Sequence, residues 1–109
     1  MSSTDGGLRS MFSQNLRRAQ WTVVESGSLA PGTPDAEFCF PGNKQGWIEY
    51  KKASGNRVVI RDLQVSWIDR RARLGGHVFI AVRSKNDLLL YHGRDVKKLA
   101  VDGLKGAVP

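Results

Sequence analysis

One amphipathic segment in the second half of the chain constrains the fold more than any other feature. Residues 57–76, RVVIRDLQVSWIDRRARLGG, interrupt a series of strand-like runs with apolar residues at helical spacing: Ile60, Leu63, Trp67, Ile68 and Leu74. Two consecutive glycines at 75 and 76 end this pattern as a helix C-cap. Because strand-like runs lie on both sides, the helix is predicted to cross over between two strands, which implies a mixed sheet with helices packed on it.

Patterns on either side of this segment predict the other elements. A first helix is indicated by apolar spacing from Leu8 to Ala19, and a short terminal helix by residues 95–101. Strands are indicated by residues 21–26, by a hairpin at 35–52 whose turn is PGNKQG, and by a second hairpin at 77–93. The predicted class is α/β, a mixed β-sheet flanked by helices in the order αβββαββα. We expect a disordered tail at residues 1–7 and a single domain at residues 8–109.

The chain is strongly basic. Its 109 residues include 17 Lys and Arg against 10 Asp and Glu, and the formal net charge of +7 at pH 7 attracts polyanions. Nucleic acid is therefore the expected partner class, and a solubilising surface charge is the alternative. The single cysteine, Cys39, makes no internal disulfide, and no segment approaches the roughly 18 apolar residues of a membrane span. A cytoplasmic protein without a membrane partner is expected.

Three ionisable side chains are predicted to converge in the first hairpin. Alternation along a strand places Glu49 and Lys51 on one face, and an antiparallel partner would bring Asp35 within roughly 5–7 Å of them. Two carboxylates at that spacing repel unless a cation lies between them or a lysine neutralises the pair. Because Mg²⁺ commonly uses one or two carboxylates with water and phosphate oxygens, Asp35 and Glu49 are a candidate Mg²⁺ site. Lys51 would then orient or help deprotonate an attacking water.

A simpler role is open for each of these residues. Asp35 after Pro34 is also typical of a turn cap. Glu49 and Lys51 could form an exposed ion pair that stabilises the fold by about 0–1 kcal/mol.

The motifs of this region resemble those of the PD-(D/E)XK nucleases, and within them the small VRR-NUC branch of viral and repair enzymes. The resemblance covers about residues 8–83 and is carried by Pro34-Asp35 in the second strand, Glu49-Tyr50-Lys51 in the third and Gln64 in the next helix. It implies a restriction-endonuclease-like core, a Mg²⁺ or Mn²⁺ cofactor bound by Asp35 and Glu49, assistance to the water from Lys51, and a supporting catalytic role for Gln64. A polar residue at the margin of the core is the alternative for Gln64.

The first helix departs from the pattern of related resolvases. Many of them carry a metal-binding Glu on this helix, whereas residues 8–20 contain no acidic residue here. Glu25, at the end of the first predicted strand, is the only nearby substitute and is a candidate metal ligand.

Basic residues are concentrated around the proposed site. Eight of the 17 lie between positions 44 and 73, where they are placed to contact DNA phosphates without reading sequence. The candidate DNA-binding residues are Lys52, Arg57, Arg61, Arg70, Arg71 and Arg73. A solvated helix face is the alternative for the last three.

The predicted function is metal-dependent hydrolysis of DNA phosphodiesters by an endonuclease. A small domain has little surface for reading a long sequence, which favours selection of branched DNA such as a Holliday junction or a flap. The resemblance implies a viral enzyme of the host cytoplasm that forms a symmetric homodimer, suited to two symmetric cuts. Two alternatives stay open: a non-catalytic basic nucleic-acid-binding protein on a nuclease scaffold, and a sequence-specific nuclease of the restriction type.

Overall fold

The computed structural model describes residues 5–24 and 31–109. Within these residues the helices are α1 Leu8–Asn15, α2 Asp62–Arg73 and α3 Val96–Asp102, and the strands are β1 Gln20–Val23, β2 Ala36–Phe40, β3 Lys44–Lys52, β4 Val78–Ser84 and β5 Asp87–His92. Short 3₁₀ turns at Gly93–Asp95 and Gly103–Lys105 flank α3. The predicted αβββαββα order is confirmed. None of the helices in these residues has the length and apolar character needed to cross a membrane.

The five strands form one sheet in their order along the chain. The central pair, β3 and β4, is parallel, with Glu49 opposite Ile80, and the other neighbouring strands are antiparallel. A parallel pair needs a long connection, and α2 supplies it. The predicted crossover helix and mixed sheet are therefore confirmed.

The first hairpin has the register that defines the site. Its turn contains Gly42 and Asn43 with left-handed backbone, at φ of +87° and +58°, a conformation that these two residue types tolerate. The first residue of β2, Ala36, lies opposite Ile48. As a result, the last residues of β3 extend beyond the start of β2.

The two faces of the sheet carry separate apolar clusters. The face covered by α2 and α3 buries Val58, Ile60, Ile68, Ile80, Tyr91 and Leu99. The face covered by α1 buries Leu8, Phe38, Ile48, Tyr50 and Ala81. Because side chains alternate along β3, the burial of Ile48 and Tyr50 towards α1 directs Glu49 and Lys51 towards α2.

The predicted apolar stripe of α2 is wrong at two of its five positions, whereas Ile60, Trp67 and Ile68 pack in the core as predicted. Leu63 is 57% exposed and Leu74 is 70% exposed. The helix instead packs against the sheet with Val65, Ile68 and Ala72, because its phase is set by the tight packing of Ile68.

Smaller differences concern the ends of the first elements. The first helix ends at Asn15 rather than at Ala19. The first strand is described only as far as Val23, and residues 25 and 26 of the predicted strand lie outside the described residues. The last three residues of the predicted tail form a turn into α1, in which Asp5 accepts hydrogen bonds from the backbone N–H groups of Gly7 at 2.8 Å and Arg9 at 3.3 Å. Residues 1–4 lie outside the described residues.

Candidate active site

The start of β2 brings Asp35 against the edge of β3. Asp35 immediately precedes Ala36, the residue paired with Ile48. The Oδ2 atom of Asp35 accepts a hydrogen bond of 2.9 Å from the backbone N–H of Tyr50. The Asp35 carboxylate thus accepts the hydrogen bond that a neighbouring strand would otherwise accept from the Tyr50 N–H. This contact holds the carboxylate beside Glu49.

Glu49 is the centre of a side-chain hydrogen-bond network on the α2 side of the sheet. Its Oε2 atom accepts a hydrogen bond of 2.9 Å from Nε2 of Gln64 and lies 3.3 Å from Nζ of Lys51. Lys51 also donates from Nζ to Oε1 of Gln64 at 2.9 Å. The three side chains therefore form a closed triangle in which each contacts the other two.

The first turn of α2 fixes the orientation of Gln64. This residue is the third of the helix after its N-cap, Arg61. Its Oε1 atom accepts a hydrogen bond of 3.0 Å from the backbone N–H of Arg61. Since the oxygen faces two donors, Nε2 is directed to the carboxylate of Glu49.

Burial changes the acidity of Glu49. The residue is only 2% exposed. Its pKa is raised from 4.5 to about 7, mainly by burial and further by the negative charge of Asp35. The charge and hydrogen bond of Lys51 and a backbone hydrogen bond from Asp35 oppose the rise. The Oε1 atom of Glu49 is shielded from solvent and has no hydrogen-bond partner among the described residues.

These residues line one cleft at the end of the sheet. The cleft has a volume of about 790 Å³, and its walls come from both faces of the sheet. The residues before and in α1 form one wall, the end of β3 forms the floor, and the start of α2 forms the other wall. The structure brings together Asp35, Glu49, Lys51, Gln64 and Arg61 in this cleft.

Two charged lining residues were not identified from the sequence. Asp5 was assigned to a disordered tail and Arg9 was given no role in the site, yet both line the cleft. The guanidinium of Arg9 lies 5.6 Å from the centre of the Tyr50 ring, and its Nη1 atom is buried with no hydrogen-bond partner within residues 5–24 and 31–109. No local sequence pattern indicates that these two residues reach the cleft.

The other predicted DNA-binding residues fall into two groups. Lys52 and Arg57 are exposed near the end of β3 but do not line the cleft: Lys52 lies near Gly6, before α1, and Arg57 lies near the end of α3. Arg70 and Arg73 are exposed near the opposite end of α2. Arg71 stacks on aromatic rings, with its Cζ atom 4.4 Å from the centre of Trp67 and 5.4 Å from that of Trp47.

The donor set fits a hard divalent cation. No group of three or more His, Cys, Asp or Glu side chains in the described part of the chain is arranged to hold a metal ion, and Glu25 lies outside that part. Mg²⁺, however, often uses only one or two carboxylates and keeps several waters. Asp35 and the unpaired Oε1 of Glu49 provide such a pair, and a cation would favour the ionised form of the buried acid.

Comparisons with known proteins support the fold. The chain matches no profile of a known protein family and no curated protein sequence. Its structure is similar to that of Hjc, a Holliday junction resolvase from the archaeal hyperthermophile Archaeoglobus fulgidus, with a TM-score of 0.60 and 16% sequence identity over 79% of this chain and 72% of that one. The predicted restriction-endonuclease-like α/β fold is therefore confirmed.

Proposed function

We propose that the protein is a metal-dependent endonuclease of the PD-(D/E)XK type that hydrolyses DNA phosphodiesters. The observation that carries this proposal is the buried carboxylate of Glu49, which is held by Lys51 and Gln64 beside Asp35. A buried acid with an unpaired oxygen and a raised pKa reduces stability, and such groups are concentrated at functional sites. The fold shared with an archaeal resolvase agrees with this function.

In the proposed mechanism, Asp35 and Glu49 hold Mg²⁺ or Mn²⁺. When bound, the cation would supply Lewis-acid chemistry at the phosphate and lower the pKa of a coordinated water. The ammonium group of Lys51 would orient the attacking water and offset negative charge that develops on the phosphate. Gln64 would hold Lys51 and Glu49 in their relative positions, and Glu25 is a further candidate ligand.

The proposed substrate is branched DNA, such as a Holliday junction. Lys52, Arg57 and Arg61 would contact phosphates beside the cleft, and Arg70, Arg71 and Arg73 would extend that contact along α2. We further propose a symmetric homodimer, whose two active sites suit two cuts in a symmetric junction. We also propose that the protein is a viral enzyme of the VRR-NUC branch that acts in the host cytoplasm, as the sequence motifs favour.

Cleavage assays on defined DNA substrates test this function. Four-way junction, flap, nicked and linear DNA are incubated with Mg²⁺ or Mn²⁺ and the wild-type protein, Glu49→Gln, Lys51→Ala or the control variant Lys98→Ala, which changes an exposed residue of α3. We expect the wild type and Lys98→Ala to cut branched DNA and the other two variants to lose at least a hundredfold in rate.

Other outcomes separate the alternatives. Binding of DNA without cutting by any of these proteins would establish the non-catalytic nucleic-acid-binding protein. Equal traces of cutting by all four would indicate a contaminating nuclease. Discrete fragments from a linear plasmid would favour a sequence-specific nuclease, and a monomer that remains monomeric on junction DNA in sedimentation would exclude paired cutting by a dimer.

A further inference from the structure

A second groove adjoins the candidate active site on the α1 side of the sheet. It has a volume of about 240 Å³ and lies between α1 and the edge strand β1. Arg9, Ser10 and Tyr50 line both this groove and the active-site cleft. Its own lining includes Ser13, Trp21 and Thr22. The two concave surfaces are thus continuous around the start of α1.

The surface of α1 beside this groove suits a polyanion, although much of the groove lining is apolar (Trp21, Val23, Ala36 and the ring of Tyr50). Residues 8–24 carry three arginines, Arg9, Arg17 and Arg18, and no acidic residue. Arg9 lines the groove, and the hydroxyls of Ser10 and Thr22 can donate to phosphate oxygens, whereas the Ser13 hydroxyl already donates to the backbone oxygen of Ser10 at 3.2 Å. Among the described residues no acidic side chain lines the groove itself, and the carboxylate of Asp5 lies in the adjoining cleft.

The dimensions of α1 match a short length of DNA. Arg9 is the second residue of α1 and Ser13 lies one turn further on the same face, while Arg17 and Arg18 follow the end of the helix and are exposed. The helical part from Arg9 to Asn15 spans about 9 Å at 1.5 Å per residue, which corresponds to about two to three nucleotides along one strand of duplex DNA at 3.4 Å each.

We propose that the groove between α1 and β1 binds the DNA backbone on the side of the cleft opposite to α2. This inference rests on the proposed function, because it takes DNA as the substrate of the adjoining cleft. A strand whose scissile phosphate lies at Glu49 continues past Arg9 towards Arg17 and Arg18. The DNA is then held between two basic walls rather than by the α2 side alone.

Binding measurements in an inactive background test the groove. The Glu49→Gln protein is compared with the same protein carrying Arg17→Glu and Arg18→Glu, and with a matched control carrying Lys98→Glu and Lys105→Glu, two exposed residues at the α3 end of the chain. Fluorescence anisotropy with a labelled four-way junction is recorded over a range of salt concentrations, and circular dichroism checks folding.

We expect the α1 variant to bind at least tenfold more weakly, whereas the control with the same change of net charge loses less than threefold. The slope of log affinity against log salt should decrease by about 0.9 for each phosphate contact removed in the α1 variant. Equal losses in the two variants would overturn the groove proposal. If the wild type cuts DNA while the α1 variant binds normally, the groove proposal fails and the proposed function stands; if no protein in the series binds or cuts DNA, the proposed function itself fails.

Tryptophan fluorescence provides a second measurement that needs no charge reversal. Trp21 lines the groove, whereas Trp47 and Trp67 pack together on the opposite face of the sheet. Addition of junction DNA should change the emission of the Glu49→Gln protein and of its Trp67→Phe derivative. The change should be smaller in the Trp21→Phe derivative, where only Trp47 and Trp67 beneath Arg71 still respond, and its full retention there would contradict the proposal.

Discussion

The two ends of helix α2 use polar side chains in opposite ways. At the N-terminal end, Gln64 and Lys51 surround the buried carboxylate of Glu49, which keeps one oxygen unpaired and has a raised pKa. At the C-terminal end, Arg71 stacks on Trp67, and Arg73 lies 3.0 Å from Asp69. The one acid at the C-terminal end, Asp69, is thus paired within the chain, with Arg73 and with Lys97, whereas the N-terminal end holds an acid that an external cation would stabilise. The difference separates groups that support the fold from groups that reduce its stability and are available for chemistry.

The largest expected effect is on the pH dependence of stability. Below pH 4.5, Glu49 is protonated in both the folded and the unfolded chain; between that pH and its folded pKa of about 7, only the unfolded chain releases the proton. In the metal-free protein, the free energy of unfolding should therefore fall with rising pH across this window, by about 3 kcal/mol in total from this group. Glu49→Gln should remove this part of the slope, and urea denaturation in EDTA at several pH values measures it. Asp69→Asn, at the other end of α2, should retain the slope, and identical slopes for the wild type and Glu49→Gln would disprove the assignment.

Removal of an aromatic ring at the C-terminal end should affect stability rather than chemistry. Trp67 packs against Trp47, with ring centres 5.3 Å apart, and supports Arg71. We expect Trp67→Ala to lower the free energy of unfolding by about 2 kcal/mol, because a large, partly buried ring is lost. The rate of DNA cleavage per folded molecule should stay within about twofold of the wild type. A loss of activity greater than that of a Gln64→Ala variant would show that the side chains at the two ends of α2 do not act independently.

Removal of the amide at the N-terminal end should have the converse effect. Gln64→Ala leaves Lys51 and Glu49 without their shared partner, so we expect cleavage to slow about tenfold, equivalent to about 1.4 kcal/mol in the barrier. Affinity for DNA should remain unchanged because Gln64 is not a phosphate contact in the proposed mechanism. Gln45→Ala is the matched control, since Gln45 donates instead to Glu37 in the first hairpin. Equal rates for the two variants would contradict a positioning role for Gln64.

The smallest effect is expected for the ion pair at the C-terminal end. The side chain of Arg73 is 68% exposed beside Asp69, and exposed pairs at this helical spacing contribute little in water. Arg73→Ala should lower the free energy of unfolding by less than about 0.5 kcal/mol. A loss above about 1 kcal/mol, measured by urea denaturation, would show that the ion pair contributes more than its exposure indicates.

Local patterns predicted one part of the site well. The alternation of Ile48, Glu49, Tyr50 and Lys51 placed the two charges on one face, because a strand has a period of two residues. The predicted turn PGNKQG was too long, since β3 already begins at Lys44. The resulting hairpin register then brought Asp35 beside Glu49. Both features depend on short-range geometry, which the sequence encodes directly.

Contacts between distant segments could not be predicted in the same way. The exposure of Leu63 and Leu74 depends on the rotation of α2 over the sheet, and apolar residues on several sides of the helix left that rotation undetermined. Asp5 and Arg9 line the cleft because the N-terminal turn passes the end of β3, a tertiary contact with no local pattern. The charge of the first helix was visible in the sequence, but the groove beside it depends on how β1 is paired.

The side-chain amide oxygen of Gln64, Oε1, connects the geometry of the cleft to one backbone N–H group, that of Arg61. This oxygen accepts hydrogen bonds both from the Arg61 N–H, at the entrance to α2, and from Lys51. Unwinding of the first helical turn therefore also releases the lysine and the glutamate. The rate of deuterium uptake at the Arg61 backbone amide should therefore report how often these hydrogen bonds open. A cation that binds in the cleft should lower that rate.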